Sequence, residues 1–158
     1  MPDATQRMKS DAEPPIPLNP DEEALVRSLS RVIYSLPRAL DADMTHEQRL
    51  PLIEYQALMN LSEAPDRRLR MSDLAAACDM SLSGMTGVAR RLEDQGFIRR
   101  VKSEQDGRGW NAVLTDAGLS RLEGAWPTHL ASVRRRFLDH LEGLDLKTLG
   151  AVFRTVAT

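Results

Sequence analysis

The sequence has a single cysteine, Cys78, so no internal disulfide can close and a stapled mini-fold is excluded. Aromatic residues are scarce at 4%, so a core drawn from the 42% hydrophobic content must be mostly Leu, Val, Ala and Met. No apolar run approaches the roughly 20 residues needed to cross a bilayer. The opening MPDATQRMKSDAEPPIPLNP lacks the apolar stretch of a secretory signal. These absences lead us to expect a cytoplasmic protein with no membrane partner. Catalytic groupings are also missing: there is no nucleophile with a base, no phosphate-binding glycine loop and no paired metal carboxylates. His129 and His140 could share a helix face, but a helix would set them about 16 Å apart, too far to share one ion. No enzyme activity, metal or cofactor is therefore expected. Cys78 fits a small buried residue better than a redox switch, which needs an exposed, low-pKa thiol.

What is present is an uneven charge distribution. The formal net charge is −2, yet Arg67 to Trp110 carries nine Lys/Arg and six Asp/Glu, a net of +3. The remainder carries twelve basic and seventeen acidic residues, a net of −5. A basic middle between acidic flanks suits one lobe facing phosphates. A merely solvated charged surface would look similar, so the motif within the basic stretch has to decide.

The chain divides by pattern. Residues 1–20 hold five prolines and read as a flexible tail. Pro20 followed by Asp21, Glu22 and Glu23 starts a helix, with acids at its positive end. Leu25, Leu29, Val32, Ile33 and Leu36 give it an apolar stripe. Pro37 is expected to kink or end it, and a loop is expected around Asp41 to His46. A second helix spans about Pro51 to Glu63, stopped by Ala64-Pro65-Asp66. Ser72 begins a short helix ending near Cys78. After a tight turn at Asp79-Met80, Ser81 caps another helix that Gly96 closes. Met85, Val88, Ala89 and Leu92 share one face of that helix; Ser83, Thr86, Gly87 and Arg90 share the other.

Two short helices joined by about three residues, the second with a slim polar outer face, form a helix-turn-helix. A helix entering the major groove must bring its backbone close to the bases, which bulky residues near its N-terminus would block. Gly84 and Gly87 each cost a helix about 1 kcal/mol relative to Ala, a cost an ordinary helical hairpin does not require. The expected DNA-facing residues are Ser81, Ser83, Gly84, Thr86, Gly87, Arg90 and Arg91. Next, Phe97, Ile98 and Val101, then Val113 and Leu114, mark two strands around SEQDGRGW. A β-hairpin directly after a recognition helix is a wing. Arg108 at its tip suits a narrow minor groove, where negative potential concentrates. Asp106, Gly107 and Gly109 would shape the loop.

The run from RMSDLAAAC through MSLSGMTGVARRLEDQGFIRR, the Asp106-x-Arg108 wing and LTDAG resembles the MarR family, the multiple antibiotic resistance regulators. The likeness is most specific over residues 51–118. It implies a homodimeric winged helix-turn-helix that binds a palindromic operator in double-stranded DNA, usually as a repressor, and is released in many members by a small ligand. Trp110 departs from the pattern, which carries a smaller or basic residue there. The resemblance places an effector pocket between the DNA-binding lobe and the dimer helices. Tyr34, His46, Tyr55, Met59 and Trp126 are candidate lining residues for a small aromatic or lipophilic effector, with core packing as the alternative role of each.

The C-terminal third fits on its own terms. Thr115 caps a long helix whose apolar stripe runs from Leu119 to Leu141, with a kink expected at Pro127. A last helix covers about Asp145 to Val156. Such a stripe on terminal helices needs a partner, either a second copy or the first helix of the same chain. The expected fold is mainly α with a small β-hairpin wing. It has a flexible tail over 1–20, a dimerisation helix and loop over 21–50, a winged helix-turn-helix over 51–115 and dimerisation helices over 116–158. The competing function is a winged-helix protein-interaction or structural module that reads no DNA sequence.

Overall fold

The computed structural model describes residues 15–103 and 109–156. The chain forms two compact units that meet within the first helix, one up to Tyr34 and one from Ser35 onward. In the first unit, helix α1 (Pro20–Gln48) begins with a reciprocal cap. Asn19 Oδ1 accepts from the backbone N–H of Asp21 and of Glu22, while Glu22 Oε2 accepts from the N–H of Asn19.

Pro37 neither ends α1 nor is followed by a loop; the helix continues to Gln48. Proline removes one backbone hydrogen bond, and tertiary contacts outweigh that loss. Within the second unit Met44 is wholly buried, and Asp43 accepts from Ser132, Arg135 and Arg136. Asp41 Oδ1 accepts from the N–H of Leu52 at 2.8 Å, and the carbonyl of Gln48 accepts from Arg121. Residues expected to form a loop are thus tied into the fold at several points.

Helix α2 (Leu52–Glu63) buries Tyr55, Ala57, Leu58 and Leu61 and leads into a single 3₁₀ turn at Pro65–Arg67. Strand β1 (Arg68–Arg70) follows, then helix α3 (Met71–Ala77) and helix α4 (Leu82–Asp94). Strands β2 (Ile98–Lys102) and β3 (Trp110–Leu114) form the expected hairpin, with Val101 opposite Asn111. β1 adds a third strand to β3, giving the antiparallel order β1-β3-β2. Helix α5 (Asp116–Arg136) passes through Pro127 and stops five residues short of the expected end, because Phe137 leaves helical geometry at φ −139° and ψ −62°. Its basic last turn sits at the negative end of the helix dipole, with Arg135 and Arg136 held on Asp43. A 3₁₀ turn at Leu138–Leu141 leads to helix α6 (Leu146–Val156).

The core lies where α2, α3, α4, the sheet and α5 meet, and is built from Leu, Ala and Met with Tyr55 as its largest side chain. Gly118 marks the tightest junction. A Cβ there would fall 2.0 Å from the carbonyl oxygen of Phe97, so α5 can cross the end of β2 only at a residue without a side chain. Among the described residues no helix is long and apolar enough to cross a membrane.

Candidate nucleic-acid interface

The site is built on α3, the turn and α4. The turn passes through Asp79, which has a positive φ of 51°. Ser81 then caps α4, its Oγ accepting from the N–H of Gly84 at 3.2 Å. At the other end Gly96 takes φ +75°, Phe97 N–H reaches the carbonyl of Leu92, and Gly96 N–H that of Glu93. This is the paired C-terminal closure that favours glycine. Both ends of α4 therefore lie where Ser81 and Gly96 predict.

Met85, Val88, Ala89 and Leu92 are buried, which fixes the rotation of α4. Ser81, Ser83, Thr86 and Arg90 are exposed on the other side, and Gly84 and Gly87 are half-buried. The Thr86 hydroxyl donates to the carbonyl of Leu82 at 2.8 Å, which leaves its oxygen able to accept. Among the described residues Arg90 has no ion-pair partner. Arg91 is placed differently: its Nε donates to Glu54 Oε1 at 2.7 Å, and the Glu54 side chain is 4% exposed. A nearly buried carboxylate on α2 thus grips α4.

A second grip joins α4 to the wing. Glu93 accepts from the backbone N–H of Arg100 at 2.8 Å and from its Nε at 2.7 Å. These bonds, the backbone one foremost, hold the Glu93 carboxyl below its ordinary pKa. At the base of the wing Ser103 N–H donates to the carbonyl of Gly109. Asp106, Gly107 and Arg108 lie outside the described residues.

Sequence reasoning missed the surface beside the N-terminus of α4. A cleft of about 370 Å³ is lined there by Arg70, Ser72, Leu82, Thr86, Arg100 and Trp110, among others. The Arg68-Leu69-Arg70 alternation was the available signal for β1, but three residues become a strand only because β3 offers an edge. Trp110, the departure noted in the sequence, is 47% exposed in this cleft.

The candidate effector residues separate. Tyr55, Met59 and Trp126 line one cavity of about 320 Å³ with Leu119 and Leu122. Ser62, Glu63 and Glu123 complete it. His46 is exposed and is not in this lining; Tyr34, in the first unit, is 70% exposed. His129, not singled out for the pocket, stacks on Tyr55 with ring centroids 4.4 Å apart. The Tyr55 hydroxyl and His129 Nδ1 are buried without a partner among the described residues. Burial, then the charge of Glu63, pushes the Tyr55 phenol up to about 12, and burial holds His129 below its usual value. Cys78 is half-buried, takes a 3.6 Å contact from Asn60 Nδ2, and has its thiol pushed up by burial, which opposes thiolate chemistry.

A model of the MarR family matches residues 50–109. The crystal structure of Sco3205, a MarR family transcriptional regulator from Streptomyces coelicolor in complex with DNA, is 34% identical and covers 90% of each chain, with a TM-score of 0.82. AbsC, a MarR family transcriptional regulator from the same organism, is 36% identical over 90% of this chain and 96% of its own, with a TM-score of 0.80. The HTH-type transcriptional repressor YetL of Bacillus subtilis is 29% identical over 107 residues, 66% of this chain and 64% of YetL. The match thus spans a little under two thirds of that curated relative.

Proposed function

The chain belongs to the MarR family of transcriptional regulators, and from that premise we propose that it is a repressor that binds a palindromic operator as a homodimer and is released by a small molecule. The observation that carries this reading is the outer face of α4. Ser83, Thr86 and Arg90 are exposed there, opposite a fully packed inner face. Sco3205 in complex with DNA and the repressor YetL support the DNA and repressor parts of the proposal. Residues 51–115 form the DNA-binding domain, with 21–50 and 116–158 serving dimerisation.

In this reading Ser81, Ser83 and Thr86 bond phosphates or base edges, Gly84 and Gly87 admit the DNA, and Arg90 reaches a guanine edge or a phosphate. Arg108 enters the minor groove from the wing. Arg91 positions α4 through Glu54 rather than spending its Nε on DNA. Arg70 and Ser72, in the cleft beside α4, extend the phosphate-facing surface. The terminal helices supply the dimer. Leu25, Val26, Val32 and Ile33 on α1 are exposed, and on α6 so are Leu146, Val152, Phe153 and Val156. Reading two half-sites then requires the two recognition helices of the dimer to lie about 34–36 Å apart, one turn of DNA. The cavity at Tyr55, Met59 and Trp126 is the effector site.

Selection from genomic fragments, followed by footprinting, tests the proposal. The expected result is enrichment of one inverted repeat with half-sites a helical turn apart and two chains bound. Enrichment of no sequence, with salt-insensitive association to other proteins, would favour the interaction-module function instead.

A further inference from the structure

Resting on the reading of the cavity between α2 and α5 as the effector site, we propose the class of molecule it takes: an aromatic or lipophilic cation, such as an organic ammonium. The volume of about 320 Å³ suits a compact ring system with a short charged arm. Met59, Leu119 and Leu122 provide an apolar wall, and Trp126, 49% exposed, offers an indole face.

Charge decides the class. Glu63 and Glu123 belong to the lining, whereas Lys, Arg and His do not. Both carboxylates are exposed, and neither has an ion pair among the described residues. An anionic guest would meet two like charges with no basic side chain to offset them. A cationic guest would meet two opposite charges and an aromatic face that attracts cations. His129, behind Tyr55, does not reverse this balance, because burial favours its neutral form. A second feature also points to a guest. Tyr55 is 0% exposed, lines the cavity, and keeps a hydroxyl without a partner among the described residues. A buried hydroxyl left unbonded is costly, and because it has no accessible surface a shift of the Tyr55 ring is needed before a guest or its accompanying water can satisfy it.

The test is calorimetric titration of the full chain, without DNA, using two probes of similar size and opposite charge: 2-naphthylmethylammonium and 2-naphthoate. The proposal expects the cation to bind at least tenfold more tightly. It also expects Glu63→Gln and Glu123→Gln each to weaken the cation severalfold, the double variant most of all, with naphthoate binding not weakened. Both carboxylates are exposed, so the variants should keep the wild-type melting temperature. Naphthoate binding as tightly as the cation, cation affinity unchanged in the double variant, or binding of neither probe would overturn the proposal. Operator titration with and without the cation separates the two claims. Cation binding that leaves DNA affinity unchanged would keep the ligand class and overturn the effector role. Operator binding by a protein that takes neither probe would overturn the ligand class and leave the DNA-binding function standing.

Discussion

Gly84 and Gly87 carry the same sequence signal, but the fold uses them differently. A Cβ on Gly84 would come within 3.0 Å of Met80 Cε and 3.2 Å of Ser81 Oγ, so the turn itself favours a small residue there. A Cβ on Gly87 would meet nothing closer than Arg91 Nη1 at 3.9 Å. The fold therefore has no steric need for Gly87; in the proposed function the need comes from close approach of DNA. Gly87→Ala should raise thermal stability, by up to about 1 kcal/mol from helix propensity, while weakening operator binding at least tenfold. Undiminished DNA affinity in the stabilised variant would mean that the backbone of α4 does not come near the bases at this point. Arg90→Ala should leave the melting temperature within a degree or two and weaken operator binding by about 1–3 kcal/mol if the guanidinium reads a base. If it touches only phosphate, the loss should be uniform across sequences and the salt slope should fall by about one.

At the scale of elements, local signals served where an element's ends are set by its own residues. Ser81 and Gly96 bound α4 through hydrogen bonds within a few positions, and Thr115 caps α5 by accepting from Gly118 N–H at 3.0 Å. Signals failed where distant residues decide. The helix through Asp41–His46 persists because α5 and the start of α2 bind it. The three-residue β1 likewise depends on a partner strand far along the chain. The site shows the same division. The outer face of α4 follows from helical periodicity, but the Glu54–Arg91 grip, 37 positions apart, has no local signature. The Asp43 junction yields a pH prediction. Hydrogen bonds from Arg136 and Ser132 hold its carboxyl well below the usual carboxylate range. A depressed folded-state pKa gives stability that is complete above the unfolded value of about 3.9 and is lost as pH falls below it. Asp43→Asn should therefore be less stable than wild type at pH 7, and the gap should narrow as pH drops below about 4. A gap that stays constant in chemical denaturation from pH 7 to pH 3 would show that the ionised carboxylate is not what ties α1 to α5.

For the whole molecule, the charge pattern and the exposed apolar faces point to two different partners. The net +3 between Arg67 and Trp110, inside a chain of net −2, places positive charge on the lobe that carries α4 and repulsive charge elsewhere. The exposed apolar residues of α6 lie outside that basic stretch and suit a second copy of the chain. In the proposed dimer, Phe153→Asp should shift the protein to monomer in light scattering and reduce operator affinity at least tenfold, since one short helix reads only half a site. A variant that remains dimeric would remove Phe153 from the interface. The most direct test of the central claim, that a dimer of this chain reads a DNA sequence through α4, is fluorescence anisotropy. The protein would be titrated against its own upstream intergenic DNA and against a scrambled duplex, at two salt concentrations. The expected result is tighter binding to the upstream DNA, two chains per site and a steep loss of affinity with salt. Equal affinity for both duplexes, unaffected by salt, would contradict it.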